Sequence, residues 1–577
     1  MFEGSSVDQQ QLDEIKARYG IGGRASGPSR FPIVLIKPSQ YDADGYVIQW
    51  YRSAAPSNAL ALMHGLVEDC RQRKVLGEHV KVEIRSIDED NTRVRTQQLA
   101  RELKNGQGLV ILVDVQSNQF PRAMDLALPL RVAGVQVCMG GFHVSGSMAL
   151  QGAVTTELQE AMNLGISLFA GEVEEGRLDQ VLHDAWRGEL RPLYNYLGDP
   201  RPEDGADLPV KAIRATIGQY SSVQAATGGP LQCSFRTIVQ AAGRKTQRRT
   251  VVEVEQILRE HVQSGVGRFL IADDDFSENP EWEAILDRVA AIREQDAPHL
   301  QVTIQVDTNA HRLPGFVEKA VRAGVHRVFI AVESLRAQGL LRAKQNETRI
   351  GEYRKMLLAW KRAGVAVFSG YVAGIPAETV DGGGSDPCLM QAETAIDLLE
   401  VHCLRTLQRP DDPSMPAQAE ASHPDPDPQQ REPALKAEEW HRLYRDEWKD
   451  FYAPEHMEAV LQRAVALGMP LEKTTSLLLW FHFCIVCEGI DPLRGGCVRR
   501  KYRADRRPAL PREGWLRFWS RYGSDLASKH WKLLRLYLRL RAIVLRLGQG
   551  DGSPPPTDAG NSAHPLDLML LSIAIAR

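Results

Sequence analysis

Cys233 stands in "GGPLQCSFRTI" (228–238), a Gly-Gly-Pro turn that delivers a thiol and, three residues on, Arg236. A thiolate on such a turn can ligate iron. Arg236 cannot, because its guanidinium is permanently cationic and has no lone pair to give. Cys484 and Cys487 form a Cys-x2-Cys pair, with Cys497 further on, inside the apolar run "SLLLWFHFCIVCEGI" (476–490). That spacing suits a metal pair. The setting favours buried thiols acting as small hydrophobes, with His482 beside them in the core. Asp273 and Asp274, in "DDDF" (273–276), follow an apolar run. They suit an ammonium group by charge-assisted hydrogen bonding, or the N-terminus of the next helix as a cap. Gly140 and Gly141, ahead of His143, would let backbone approach a ligand closely.

Such residues must be positioned by regular elements, and the sequence supplies them. "FPIVLIKPS" (31–39), "VKVEIRSID" (80–88), "GLVILVDVQ" (108–116) and "VQVCMGG" (135–141) read as strands. Helical patterns over 59–70, 93–106 and 121–134 lie between them, although Pro129 interrupts the last. The alternation predicts a doubly wound parallel sheet with its ligand rim at the carboxyl ends of the strands. A second series runs through 219–227, 268–275, 301–308, 327–334 and 366–374, with helices at 251–265 and 316–324. Five βα units with polar strand ends predict a complete or partial (β/α) barrel.

We divide the chain into a loosely ordered lead-in (1–30), a Rossmann-like domain (31–200) and a barrel (210–405). A Pro/Asp-rich linker (406–434), a helical C-terminal region (435–548) and a tail (549–577) follow. The linker lacks hydrophobic patterning, so the last barrel strand before it is expected to be weak or missing. Divergence and a local reading-frame error both fit that composition. A net charge of −3 gives no global pull toward nucleic acid. The basic run "RRKYRADRR" (499–507) is expected to be a solvated face, and Trp440, Trp448, Trp480, Trp515, Trp519 and Trp531 to pack between helices. No apolar run is long enough for a transmembrane segment. The N-terminus has no secretion-signal pattern, and scattered cysteines fit a reducing cytoplasm.

The order and spacing of several stretches resemble those of the cobalamin (B12)-binding radical S-adenosylmethionine (SAM) family. They are "IKPSQYDADGYVIQWYRSAAPSN" (36–58), "VDVQSNQFPRA" (113–123), "GGFHVSG" (140–146), "FAGEVEE" (169–175), "CSFRTI" (233–238), "LIADDDFSENPEWEAILDR" (270–288), "IQVDT" (304–308), "VFIAVESL" (328–335) and "EYRKMLLAWKRAGV" (352–365). The resemblance implies a Rossmann-like cobalamin domain, a partial barrel and a helical C-terminal part. It implies cobalamin contacts from Gln116, Ser117, Asn118, Gly140, Gly141, Phe142, His143, Gly171 and Glu172. His143 equally suits a structural loop histidine. No histidine is expected beneath the cobalt, since the Asp-x-His-x2-Gly motif is absent. For SAM the resemblance implies Asp273 and Asp274 at the methionine amino group, Glu333 at the ribose, and Gly370 and Gly374 against adenine.

The family's barrel carries Cys-x3-Cys-x2-Cys for a [4Fe–4S] cluster. Here Gly229 and Arg236 stand at the outer two positions and Cys233 alone remains. One thiolate cannot hold a cluster that needs three from this loop. The implied activity is methyl transfer or related radical chemistry on an unreactive carbon of a small-molecule substrate, with a reductant if active and with an impaired cluster site. The alternative is a non-catalytic corrinoid-binding pseudoenzyme.

Overall fold

The computed structural model describes residues 29–104, 108–173, 176–197, 220–227, 247–273, 275–333, 350–373, 396–407, 418–422, 448 and 451–548. The N-terminal part comprises β1 (Arg30–Lys37), β2 (Gln49–Ser53), α1 (Asn58–Gln72), β3 (Lys81–Asp88), α2 (Thr96–Leu103), β4 (Leu109–Leu112) and α3 (Phe120–Val132). It continues with β5 (Gln136–Gly140), α4 (Phe142–Gln151), α5 (Thr156–Asn163), β6 (Ser167–Ala170), α6 (Arg177–Arg187) and β7 (Leu193–Asn195). Its six-stranded sheet has the order β3-β1-β4-β5-β6-β7, with every pairing parallel. Both faces are covered. Leu99, Leu126, Val137 and Leu158 belong to one core, and Phe31, Val67, Leu109 and Leu182 to the other.

Local chemistry explains these elements. β4 reads LVIL and is buried at every position, as a strand covered on both faces must be. Ser57 caps α1 by accepting from the Leu60 amide, and Thr155 caps α5 by accepting from that of Leu158. α3 runs through Pro129, which lies three residues from its end. The proline carbonyl still accepts from the Ala133 amide. The strand order reverses around β1, so the switch point lies between β1 and β4, where doubly wound sheets bind ligands.

The second part contains β8 (Tyr220–Val223), β9 (Ala226–Thr227), β10 (Gln247–Arg248), α7 (Val251–Gln263), β11 (Arg268–Ile271), α8 (Trp282–Gln295), β12 (Gln301–Val306) and α9 (Phe316–Arg322). β13 (Val325–Glu333), α10 (Ile350–Arg362), β14 (Ala366–Ala373), β15 (Leu398–Leu407) and β16 (Gln418–Ser422) complete it. The order β16-β15-β14-β13-β12-β11-β8 makes an open, partial barrel. Its strands from β8 to β15 are parallel, and β16 is antiparallel. Two expectations change here. The last parallel strand is present as the ten-residue β15, and the stretch read as linker contributes β16 to the sheet edge.

Beyond the barrel lie α11 (Pro454–Ala466), α12 (Leu471–His482), a π-helical turn (Phe483–Glu488), β17 (Gly496–Arg500) and α13 (Trp515–Gly548). The region is therefore not helical throughout. Tyr452, Leu461, Leu478, Leu540 and Ile543 share one core with Ile396, Leu398 and the barrel strands, so these helices buttress the barrel's flank. β17 pairs antiparallel with β2, from Gly496↔Ser53 to Arg500↔Gln49.

Candidate functional site

The carboxyl rim of the first sheet is built by loops that lock into one another. After β4, Asp114 takes a left-handed conformation (φ 53°), and the chain passes directly beneath the loop after β5. The Val115 amide donates to Gly140 O (3.1 Å), and the His143 amide donates to Val115 O (2.9 Å). Gly141 has φ 141°, and a Cβ there would lie 2.2 Å from the Val115 nitrogen. Its lack of a side chain is therefore used by protein backbone. Gly171, at the end of β6, has φ 105° and lies against the Tyr196 carbonyl, while its amide donates to Ser145 Oγ (3.1 Å). Glu172 offers its carbonyl to the Arg177 guanidinium (3.0 Å).

The polar residues of the rim are held in the same way. Gln116 donates from Nε2 to Asp114 Oδ1 (2.7 Å), and its backbone amide donates to Gln119 Oε1 (3.0 Å). Asn118 donates to the Gln40 side chain, in the loop after β1. Half-buried Ser117 lies between them. Phe142 opens α4, and His143 follows it. The His143 ring packs on Phe120 with centroids 4.2 Å apart and is 7% exposed. Neither ring nitrogen has a hydrogen-bond partner, and Nε2 lies 3.6 Å from the Glu157 carboxylate. Burial pushes its pKa down to about 4, so the imidazole is neutral at pH 7. All nine predicted cobalamin-contact residues thus lie at the carboxyl end of β5 or in the segments that directly follow β4, β5 and β6.

Sequence reasoning missed the loop after β1, which crosses this rim. Ser39 donates its amide to Glu89 Oε2 (3.1 Å). Tyr41 donates to Asp125 (2.7 Å), and the buried Arg122 pairs with Glu89 (2.7 Å). Lys37 lies between Asp88 and Asp90. Burial raises the Asp114 carboxyl above the usual range, against the opposing charges of Lys37 and Arg494. These partners lie more than 30 residues apart in sequence, so no local pattern announces them.

The same loop is clasped by the C-terminal region. Trp50 is fully buried and donates to Arg494 O (3.1 Å). Asp42 pairs with Arg499 (3.2 Å) and Lys501 (2.9 Å), Asp44 with Arg521 (2.6 Å), and Arg93 with Asp505 (2.6 Å). Tyr46 donates to Glu513 (3.1 Å). The run 499–507, expected to be a solvated face, is therefore an internal clasp, and Arg499 is only 3% exposed. The reason is the acidic loop it meets, "YDADGY" (41–46), which charge counting along the chain does not bring near.

At the barrel's carboxyl rim, Asp273 is 2% exposed, and its Oδ1 accepts from the amides of Ala225 (2.7 Å) and Ala226 (2.9 Å). It fixes the exit of β8, just before the stretch that leads to Cys233. Asp275 accepts from the Ser277 amide (2.9 Å) and hydroxyl (2.5 Å) and from the Asp307 amide (3.2 Å), so it caps the short turn Phe276–Glu278. Burial, followed by the charge of Asp307, raises the Asp275 carboxyl. Burial and its carboxylate neighbours also raise Glu278. This concentration of carboxylates favours a cationic ligand. Glu333 ends β13, and Gly370 pairs with Ala331 and Glu400 in mid-sheet. Gly229, Cys233, Arg236, Asp274, Gly374 and Trp440 lie outside the described residues.

Cys484 is fully buried in the π-helical turn, where burial raises its thiol. Burial likewise pushes Cys487 up to about 11. Among the described residues no group of three or more His, Cys, Asp or Glu side chains is placed to hold a metal ion. No described helix is long and apolar enough to cross a membrane.

The sequence model of the Radical SAM superfamily matches residues 231–382. No curated protein matches the chain. Among solved structures it is similar to the radical SAM methyltransferase TsrM from Kitasatospora setae with cobalamin and a [4Fe–4S] cluster bound. That likeness has 14% identity and a TM-score of 0.46, over 65% of this chain and 75% of that one. It is also similar to the cobalamin-dependent SAM radical enzyme OxsB with aqua-cobalamin and SAM bound, at 12% identity and a TM-score of 0.47, over 94% of this chain and 84% of that one.

Proposed function

We propose that this chain binds a corrinoid at the rim of its first sheet and receives SAM at the rim of its partial barrel. It would thus be a protein of the cobalamin-dependent radical SAM type, with a cluster site reduced to one thiolate. The observation that carries the corrinoid reading is His143: a neutral imidazole buried at a ligand rim, with neither nitrogen satisfied by protein. Buried polar groups are rarely left so, and a corrinoid edge rich in amides supplies both donors and acceptors.

The residues present fit that group. Gln116, Ser117 and Asn118 would approach the ring from β4. Gly140, Gly141, Phe142 and His143 would line the nucleotide tail, with Gly171 and Glu172 beyond it. When bound, such a cobalt centre can carry a transferable methyl group. The chain's own contribution is to hold the rim closed against water by the loop after β1 and its C-terminal clasp. At the barrel, the carboxylates beside β11 and β12 favour SAM's positive charges, Asp273 and Asp274 foremost, with Glu333, Gly370 and Gly374 further along. The substrate would be a small molecule.

The residues do not fit a [4Fe–4S] cluster. Gly229 and Arg236 donate nothing to iron, so no step is routed through it. This favours the second reading, a corrinoid-binding protein without radical chemistry. Reconstitution with hydroxocobalamin and with iron and sulfide under anaerobic conditions, followed by desalting, separates the possibilities. We expect a retained corrinoid absorption spectrum and no iron. About four irons per chain, the content of one such cluster, would overturn the cluster-deficient reading. Loss of corrinoid on desalting would overturn the rim assignment.

A further inference from the structure

α13 has a solvent face that no described element covers. The helix is 34 residues long, about 51 Å at 1.5 Å per residue. It carries eight Lys and Arg residues and one acid, Asp525, a net charge of +7 in a chain whose total is −3. Its inner face, through Phe518, Leu536, Leu540 and Ile543, is buried. Its outer face exposes Leu516 (76%), Trp531 (61%), Leu538 (54%) and Leu545 (57%), and Trp515 (62%) is exposed where the helix begins. These were expected to be packing residues in the case of the two tryptophans, and the structure places both in solvent.

The arrangement is ordered. At 100° per residue, Trp531, Leu538 and Leu545 fall within about 40° of one another, and Arg535, Arg546, Arg539 and Lys532 follow along one border within about 100°. Arg541 marks the other border. Arg517, Lys532, Arg535 and Arg541 make no ion pair among the described residues. Between the borders the strip carries no charge. Apolar side chains beside unpaired cations on a long exposed helix are the pattern of a helix lying in a lipid interface, with indole rings at headgroup level.

We infer that the outer face of α13 docks the protein on an anionic membrane surface. Charge complementarity selects this occupant. A second copy would set the unpaired Arg517, Lys532, Arg535 and Arg541 against the same four cations of its partner. Leu516, Trp531, Leu538 and Leu545 lie within about 60° of one another and run almost the length of the helix, a strip that can lie along a bilayer surface.

The test is co-sedimentation of the full chain with vesicles of phosphatidylcholine alone and of phosphatidylcholine mixed with phosphatidylglycerol, with tryptophan emission recorded in parallel. We expect pelleting only with the anionic vesicles, a blue shift on binding, and weakening by salt. Lys532→Ala with Arg535→Ala should reduce the partition coefficient about fivefold per cation removed. Trp531→Ser with Leu538→Ser should remove the blue shift. Both pairs are exposed, so the variants should keep the parent's melting temperature. The inference falls if the parent pellets with neither vesicle or if both variant pairs pellet as the parent does. It also falls if these substitutions instead abolish a concentration-dependent dimer in sedimentation velocity. None of these readouts needs a bound corrinoid, so the result is independent of the function proposed above.

Discussion

The two rims of this molecule are tied together by different means. At the first sheet, loops from three strands are stitched by backbone hydrogen bonds, and a histidine is left unsatisfied at their centre. At the barrel, the two described carboxylates of "DDDF" point their bonds inward, to the amides of Ala225, Ala226, Ser277 and Asp307. The first rim holds its loops by main-chain bonds and leaves both nitrogens of His143 without a hydrogen-bond partner. The second uses Asp273 Oδ1 and Asp275 Oδ1 to hold its own strand ends, while Asp275 Oδ2 is buried without a hydrogen-bond partner among the described residues. A ligand site is therefore better diagnosed by which polar atoms lack protein partners than by which residues are polar.

The largest effect should come from Gly141→Ala, which forces a Cβ onto the Val115 amide at a left-handed φ. We expect a loss of about 3–5 kcal/mol in denaturant unfolding and loss of corrinoid retention. Unchanged unfolding would break the picture of an interlocked first rim. Next, Glu89→Ala leaves the buried Arg122 without its partner and should cost about 3 kcal/mol in the same measurement.

His143 gives a pH test. Its pKa lies at about 4 in the folded chain against an ordinary value of 6.5. Between these values the unfolded chain takes up a proton that the folded chain refuses. Its contribution is therefore complete above about pH 6.5 and is lost as pH falls toward 4. From pH 7 to pH 5 the loss should be roughly 2 kcal/mol, and His143→Phe should remove it. His482, held at about 4, and His456, at about 3, act with the same sign elsewhere. An identical acid profile in the variant would show that the ring is not desolvated.

The smallest effect sharpens the barrel side. Asp273→Ala should cost about 1–2 kcal/mol by stranding two buried amides, whereas Asp273→Asn, which still accepts, should cost less. If Asp273 also meets the SAM ammonium, Asn should weaken SAM binding in calorimetry without lowering the melting temperature. Equal SAM affinity in parent and Asn variant would leave Asp273 as a strand anchor alone.

Much of the scaffold was legible because it is written locally. The apolar runs of β1, β4 and β5 and the polar strand ends at 114–119 and 140–146 lie where periodicity put them. Glycine pairs also marked the right turns, although Gly141 serves a neighbouring strand's backbone as much as any ligand. What was not legible depends on distant partners. The clasp on "YDADGY" comes from residues more than 400 positions away. β15 was hidden because the composition of its neighbours obscured its own apolar start, "LLEV". The exposed tryptophans of α13 were misread because indole rings so commonly pack helices.

The pairing of β2 with β17 has an architectural corollary. Two strands separated by some 440 residues form one ribbon, with Trp50 sealed beneath it. Removing everything after the barrel would bare an indole and an unpaired strand edge on the first domain, inviting self-association. The N-terminal sheet is thus not a detachable cassette: fragment and domain-swap experiments on this protein should carry residues 490–522 along with it.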